Sequence, residues 1–264
     1  MKKYLVIGNP IKHSLSPKLH NYWIKKNNID AIYEKKETSE NEIKNIILQV
    51  KEKKINGMNV TVPFKNKVIP FLDKLSPESE RTQSVNTIYI SNNQIIGHNT
   101  DIYGFEMSVK RSKYNLAGKK VLILGSGGVV PSIIFALKKM KVHQIILSNR
   151  TKSKAENLKN LFEDLKIIEW GEIPNFDMII NATSLGLNEN DRFEIDFSSV
   201  GKDKFFYDVI YNSKETNFLK IGKEMGNKIE NGEKMFIYQA YSAFNIWHGI
   251  YPNVDDEITK LLSR

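Results

Sequence analysis

There is no cysteine in the 264 residues, which excludes disulfides, thiolate metal sites and thiol nucleophiles. Any chemistry has to run on other side chains. Arginine is nearly as scarce, standing only at Arg81, Arg111, Arg150, Arg192 and Arg264 although lysine and arginine together number 39. No apolar run approaches the roughly 18 residues of a membrane span, and the one after Met1-Lys2-Lys3 is too short for a signal peptide. A cytoplasmic protein with no membrane partner is expected. His13, His20, His98, His143 and His248 lack metal-ligand spacing, so each reads as a surface or packing residue and no metal is expected. A concentrated basic block is missing too. The formal charge of +9 invites a nucleic-acid reading, but the lysines are dispersed among glutamates and asparagines, as on a solvated surface serving an anionic small molecule. No internal repeat or low-complexity linker interrupts the chain.

What is present is most informative at Lys120-Val121-Leu122-Ile123-Leu124-Gly125-Ser126-Gly127-Gly128. An apolar strand stops at glycines, a helix-length run from Val129 to Met140 follows, and a second strand, Gln144 to Leu147, leads to Ser148-Asn149-Arg150-Thr151. A helix opening just past a strand aims its free amides at whatever lies above, so a pyrophosphate can settle there, and glycines let it approach the backbone. A site for NAD usually places an acid at the end of the second strand to hold the ribose 2′-hydroxyl. Here Asn149 and Arg150 occupy that place, and an arginine fork suits the 2′-phosphate of NADP. The scarcity of arginine gives Arg150 added weight, and Thr151 and Lys154 offer further donors. Val130 takes the position of the third motif glycine, and Pro131 falls in the first helical turn, where proline is tolerated.

The remaining pattern is α/β. The N-terminal part alternates a strand (Tyr4 to Gly8), a helix (about Pro17 to Lys26), a strand (Ala31 to Lys36) and a helix (Asn41 to Lys53), which predicts a parallel sheet with helices on its faces. A short strand ending in Asn59 to Pro63, a helical stretch to about Leu72 and a hairpin of Val85 to Ile90 with Gln94 to Asn99 come next. A helix from Tyr103 to Arg111 leaves this unit. Beyond the nucleotide segment, strands are expected at Asp177 to Asn181 and Lys204 to Val209, with helices at Phe236 to Gly249 and Asp255 to Leu262. The length allows two domains of ordinary size. The expected division is a substrate-binding and catalytic domain over 1–103, a dinucleotide-binding domain over 104–235 and C-terminal helices over 236–264.

Polar residues gather at the ends of the first-domain strands, where open α/β sheets place ligands. Ser14 and Ser16 flank a helix start, with Ser16 a candidate cap and Pro17 at the first helical position, and two hydroxyls there can hold a carboxylate. Asn59 and Thr61 end a strand, and Lys65 follows in the next turn. Ser84-Val85-Asn86-Thr87 and Gly97-His98-Asn99-Thr100-Asp101 bracket the hairpin, with Asp101 otherwise a candidate helix cap. Reducing a ketone by hydride builds negative charge on its oxygen, and a protonated amine nearby can stabilise that charge and deliver the proton. Lys65 is the natural donor, and Asp101 the group to orient it.

Taken together, Ser14-Leu15-Ser16, Asn59 to Lys65, Val85-Asn86-Thr87, Asn99-Thr100-Asp101, Gly125 to Gly128, Asn149-Arg150-Thr151, Asn181-Ala182-Thr183-Ser184 and Gln239 to Gly249 resemble the shikimate dehydrogenase family over nearly the whole chain. The resemblance implies an α/β fold with an N-terminal substrate domain and a Rossmann-type domain, the active site in the cleft between them, and C-terminal helices returning to the substrate domain. It implies NADPH-dependent, reversible reduction of 3-dehydroshikimate to shikimate in aromatic amino acid biosynthesis. Lys65 and Asp101 match the catalytic pair; Ser14, Ser16, Asn59, Thr61, Asn86, Tyr211 and Gln239 match substrate positions. Gly125, Ser126, Gly127, Gly128, Val129, Asn149, Arg150, Thr151, Lys154, Thr183, Val209 and Gly232 match cofactor positions.

The sequence departs from the family at Ser213, where proline is common, at the bulky Val129-Val130-Pro131, and at Lys234, where a glycine is frequent. If that glycine needs a positive φ, Lys234 is strained. The rival readings are a quinate/shikimate dehydrogenase using NAD, a catalytically silent ligand-binding homologue on the same fold, and, on charge alone, a nucleic-acid module. The oligomeric expectation is monomer or homodimer.

Overall fold

In the computed structural model, residues 1–188 and 190–262 are described; residues 263 and 264, the end of the expected C-terminal segment, lie outside them. The chain forms two compact units, one of residues 1–104 and 237–264 and the other of residues 105–236.

The first unit begins with β1 (Lys2–Gly8), α1 (Ser16–Lys26), β2 (Ala31–Glu37), α2 (Ile43–Lys51) and β3 (Gly57–Val60). β1 pairs in parallel with β2 on one side and β3 on the other. α2 buries Ile43, Ile46, Ile47 and Val50, a spacing that puts one apolar stripe on the sheet. These side chains pack with Leu5, Ile7, Met58, Val60 and Ile88. Then follow β4 (Lys74–Leu75), α3 (Pro77–Thr82), β5 (Thr87–Ser91), β6 (Gln94–His98) and α4 (Asp101–Arg111).

The sheet order is β2-β1-β3-β5-β6-β4, and it is mixed rather than parallel throughout. The cause is the hairpin itself. Asn92 and Asn93 both take positive φ, 49° and 61°, the two-residue turn that reverses a chain within one sheet. The helical stretch expected up to Leu72 also does not form; only a short 3-10 turn at Ile69–Phe71 is present. Pro70 supplies no amide and disfavours helical backbone at the residue before it.

The second unit contains β7 (Lys120–Leu124), α5 (Val130–Lys139), β8 (Gln144–Ser148), α6 (Lys152–Leu161), β9 (Lys166–Ile168), β10 (Met178–Asn181), β11 (Phe205–Asp208), α7 (Asn217–Glu224) and β12 (Lys228–Glu230). Its order is β12-β11-β10-β7-β8-β9, every pair parallel. That is a doubly wound sheet whose order reverses at β7, the strand that runs into the glycines. Continuous apolar strands such as Val121-Leu122-Ile123-Leu124 suit it, because both faces are covered.

α8 (Glu233–His248) and α9 (Asp256–Leu262) close the chain, and their residues from 237 onward belong to the first unit. Trp247 Nε1 donates to the Ile88 carbonyl at 3.2 Å, and Trp23 Nε1 donates to the Asn253 carbonyl at 3.0 Å. No helix among the described residues is long and apolar enough to cross a membrane.

Candidate active site

β3, the β5–β6 hairpin and the start of α4 bring a set of polar side chains to one edge of the first unit. Lys65 follows β3, Asp101 opens α4, and the two are 36 residues apart in sequence. Lys65 Nζ donates to Asp101 Oδ2 at 2.5 Å, with both side chains about nine-tenths buried. The other carboxylate oxygen, Oδ1, accepts from Asn86 Nδ2 at 2.9 Å. The position of Asp101 in the first turn of a helix adds the favourable end of the helix dipole to these two donors.

Asn86 is itself fixed from behind. Its Oδ1 accepts the Thr100 amide at 2.7 Å, and a backbone N–H can only donate, so the NH2 end is committed to the Asp101 side. Thr87 and Thr100 hydroxyls donate to the same oxygen at 3.1 Å each. Asn59 supports the group differently: its Nδ2 donates to the Asn86 carbonyl at 2.9 Å and to Thr87 Oγ1 at 3.1 Å, while its Oδ1 accepts from Tyr33 Oη at 2.6 Å. Both amide hydrogens of Asn59 are thus used inside the protein. Gln239, on α8, accepts from Asn86 Nδ2 at 3.4 Å.

The two serines sit at the start of α1, but Ser16 is not the cap. It is the first helical residue, and its amide donates to Ser14 Oγ at 3.3 Å, so the turn is closed from two residues earlier. This leaves the Ser14 hydroxyl hydrogen to point elsewhere. Asp101 is likewise inside its helix, with its amide held by Asn99 Oδ1 at 3.1 Å. Thr61 is half-buried just beyond β3.

In the second unit, Gly125 follows β7 with φ at +103°, and a Cβ there would come within 2.8 Å of the Ala182 carbonyl oxygen. Only glycine fits. Gly127 and Gly128 are exposed, and α5 opens at Val130 with no side-chain cap, so the positive end of its dipole faces the glycine turn. Val130 itself is fully buried, so the third motif position accepts valine in the packing. Ser148 and Asn149 put no acid at the end of β8, Arg150 is exposed just after it, and Thr151 precedes α6 without capping it. Lys154 is exposed in the first turn of α6. A neutral strand end, an exposed arginine and a helix start beyond a glycine turn fit the pyrophosphate and 2′-phosphate of NADP.

Thr183 follows β10, its amide and hydroxyl both donating to Asn181 Oδ1, at 3.1 and 2.7 Å. Val209 and Tyr211 follow β11, and Tyr211 stacks on Phe236 with ring centroids 4.4 Å apart. Gly232 lies against this segment so closely that a Cβ would fall 2.2 Å from the Val209 carbonyl oxygen. The strain considered for Lys234 is absent. It takes a helical φ inside α8, and its ammonium pairs with Glu230 at 2.7 Å.

Sequence reasoning missed Tyr33, which orients Asn59, and Asp208, which is buried at the end of β11. Neither has a local signal, because each acts through a partner distant in sequence or through a carboxylate that resembles any strand-end acid.

A doubly wound dinucleotide unit joined in one chain to an α/β unit carrying a buried lysine–carboxylate pair defines the class as a two-unit α/β oxidoreductase. Comparison with known proteins sharpens this. Residues 6–88 match the shikimate dehydrogenase substrate binding domain, and residues 107–196 match the shikimate/quinate 5-dehydrogenase domain. The chain is 59% identical over 261 residues to the shikimate dehydrogenase (NADP(+)) of Pelagibacter ubique, covering 99% of this chain and 98% of that protein. It is similar to the crystal structure of shikimate dehydrogenase from Aquifex aeolicus, with a TM-score of 0.91 at 36% identity, covering 100% of this chain and 98% of that one. A Thermus thermophilus shikimate 5-dehydrogenase, solved with NADP(H) and shikimate, gives a TM-score of 0.89 at 27% identity over 100% of this chain and 97% of its own. The chain belongs to the shikimate dehydrogenase family.

Proposed function

We infer that this protein interconverts 3-dehydroshikimate and shikimate with NADP(H), and that Lys65 and Asp101 handle the proton. The observation that carries the reading is the buried contact of Lys65 Nζ with Asp101 Oδ2, backed by Asn86 on the other carboxylate oxygen. NADPH, when bound, supplies the hydride that adds to the ketone carbon. As the C=O electron pair moves onto oxygen, Lys65 meets the developing charge. It carries three donor hydrogens, of which the Asp101 contact takes one. One of the others stabilises the oxyanion and then transfers to it, and the amine regains a proton from water. Asp101 keeps the amine aimed throughout. Oxidation of shikimate runs the same steps backwards.

Ser14 and Ser16 are assigned to the substrate carboxylate, Thr61, Asn86 and Gln239 to its hydroxyls, and Tyr211 to a position near the substrate. Asn59 supports this group from behind, through the Asn86 carbonyl and the Thr87 hydroxyl. On the cofactor side, Gly125 to Val129 receive the pyrophosphate, Asn149, Arg150, Thr151 and Lys154 the 2′-phosphate end, and Thr183, Val209 and Gly232 the remainder. The reading places the enzyme in the cytoplasm with its reduced cofactor and requires no partner macromolecule.

Following NADPH formation from shikimate tests it directly. Turnover with shikimate and NADP is expected to exceed that with quinate or with NAD; a clear preference for NAD would overturn the assignment of Arg150.

A further inference from the structure

Asp208 is fully buried at the last position of β11, and the proposed reaction does not use it. The groups that meet its carboxylate are three neutral donors. Asn181 Nδ2 and the Ile210 amide reach Oδ1 at 3.0 Å each, and the Thr216 hydroxyl reaches Oδ2 at 2.6 Å. Burial pushes its pKa up to about 6. An ionised carboxylate held without a cation is unfavourable in a protein interior, so its presence calls for a reason beyond packing.

The three donors belong to segments that shape the C-terminal edge of the sheet. Asn181 turns its Oδ1 to the amide and hydroxyl of Thr183, and its Nδ2 also reaches the Leu185 carbonyl at 3.0 Å. The same segment carries Ala182, whose carbonyl crowds Gly125. Ile210 accepts the Gly232 amide at 2.9 Å, and Val209 crowds Gly232 from the same side. Thr216 caps α7, accepting the Leu219 amide at 3.4 Å. One carboxylate therefore ties the segment after β10, the segment after β11 and the start of α7, and through them sets both glycines.

We propose that Asp208 is a positioning residue for the dinucleotide site, holding Thr183, Val209 and Gly232 in the arrangement that receives NADP(H). This rests on the cofactor reading given above. It differs from a role in folding alone because the residues it orders are cofactor contacts, whereas of the shikimate contacts only Tyr211 rides on these segments.

Calorimetric titration of the intact protein with NADP+ and, separately, with shikimate tests it. Asp208→Ala is expected to weaken NADP+ by about tenfold or more and shikimate by no more than about threefold. Asp208→Asn is expected to stay within about threefold of the unmodified protein for both, because an amide can accept from Asn181 and Ile210 and donate to the Thr216 oxygen. If Asp208→Ala does not fold, Thr216→Val, which keeps the shape and removes the donor to Asp208 together with the weak cap of α7, carries the test with an expected NADP+ loss of about threefold. NADP+ affinity unchanged in these variants, or equal losses for both ligands, overturns the inference. Failure of the unmodified protein to bind NADP+ is a different result, removing the cofactor reading and the inference with it.

Discussion

The two units solve recognition in opposite ways. In the first, Lys65, Asp101, Asn59, Asn86, Thr87 and Thr100 are buried and bonded to one another. In the second, Arg150, Thr151 and Lys154 are exposed side chains, and the glycine turn offers backbone. A small ring bearing several hydroxyls demands fixed donors and acceptors, since a buried polar group left unpaired is what rejects the wrong substrate. A dinucleotide is large and anionic, and long cationic side chains with a glycine turn at a helix start suffice to hold it. Changes in the first unit are therefore expected to act sharply and on chemistry, and changes in the second to act by degrees and on cofactor affinity.

The sharpest test is Lys65→Ala. It is expected to lower kcat by about a thousandfold or more, from loss of the proton donor together with loss of charge stabilisation, while NADP+ affinity stays unchanged. Turnover near that of the unmodified protein would refute the assigned role. The variant also leaves Asp101 buried without its cation, so a loss of about 3 kcal/mol in stability accompanies it, readable by chemical denaturation.

Arg150→Ala sharpens the other side. If Arg150 reads the 2′-phosphate as proposed, losing that charge-assisted fork raises KM for NADP by about ten- to a hundredfold and leaves any reaction with NAD nearly untouched. An equal effect on both cofactors would mean that Arg150 does not read the phosphate.

These contrasts explain which parts were legible in the sequence. Strands β7 and β8 and the glycines were readable because a parallel sheet covered on both faces produces continuous apolar runs, and Gly125 must be glycine for steric reasons that show in the sequence. The polar residues of the first unit were readable as clusters at strand ends. The pairing of Lys65 with Asp101 was readable from their chemistry and the family resemblance, but the contact that joins them was not, because it depends on β3, β5 and β6 lying side by side. The mixed character of that sheet was hidden for a similar reason: Asn92-Asn93 signals a hairpin but does not say which strands flank it. Lys234 shows the opposite error. A family glycine suggested special backbone, yet α8 already begins at Glu233 and ordinary helix geometry suits lysine.

The units also differ in how they respond to pH. His20 in the first unit is stacked on Tyr33 with ring centroids 4.2 Å apart, neither nitrogen finds a hydrogen-bond partner among the described residues, and burial drives its pKa down to about 3. The unfolded chain takes up a proton near pH 6.5 that the folded chain refuses, so stability falls as pH drops below that value. At pH 5 the loss from this group is about 2 kcal/mol. His248, lowered to about 4, adds in the same direction. Asp208 in the second unit has the opposite sign. Its raised pKa means that stability present at acid pH is lost as pH rises through about 6. Hydrogen exchange followed peptide by peptide at pH 5 and pH 8 is expected to show the first unit loosening in acid and the second in base. His20→Phe, which keeps the ring stack, is expected to reduce the acid loosening; equal acid loss with and without the histidine would show that another group controls it.

The smallest effect asked for tests whether the first unit's network works as a unit. The Tyr33 hydroxyl sets Asn59, and Asn59 in turn holds the Asn86 carbonyl and the Thr87 hydroxyl. Tyr33→Phe removes only that hydroxyl and leaves the stack on His20 in place. Deleting one hydrogen bond to a buried acceptor is worth about 1 kcal/mol, or roughly a fivefold effect. If the network positions Asn86, the loss appears in kcat/KM for shikimate, with NADP+ affinity unaltered and only a small change in melting temperature. If instead the whole loss is thermal and the kinetics do not move, Tyr33 only packs, and the rigidity of the substrate side rests on the hairpin and α4 alone.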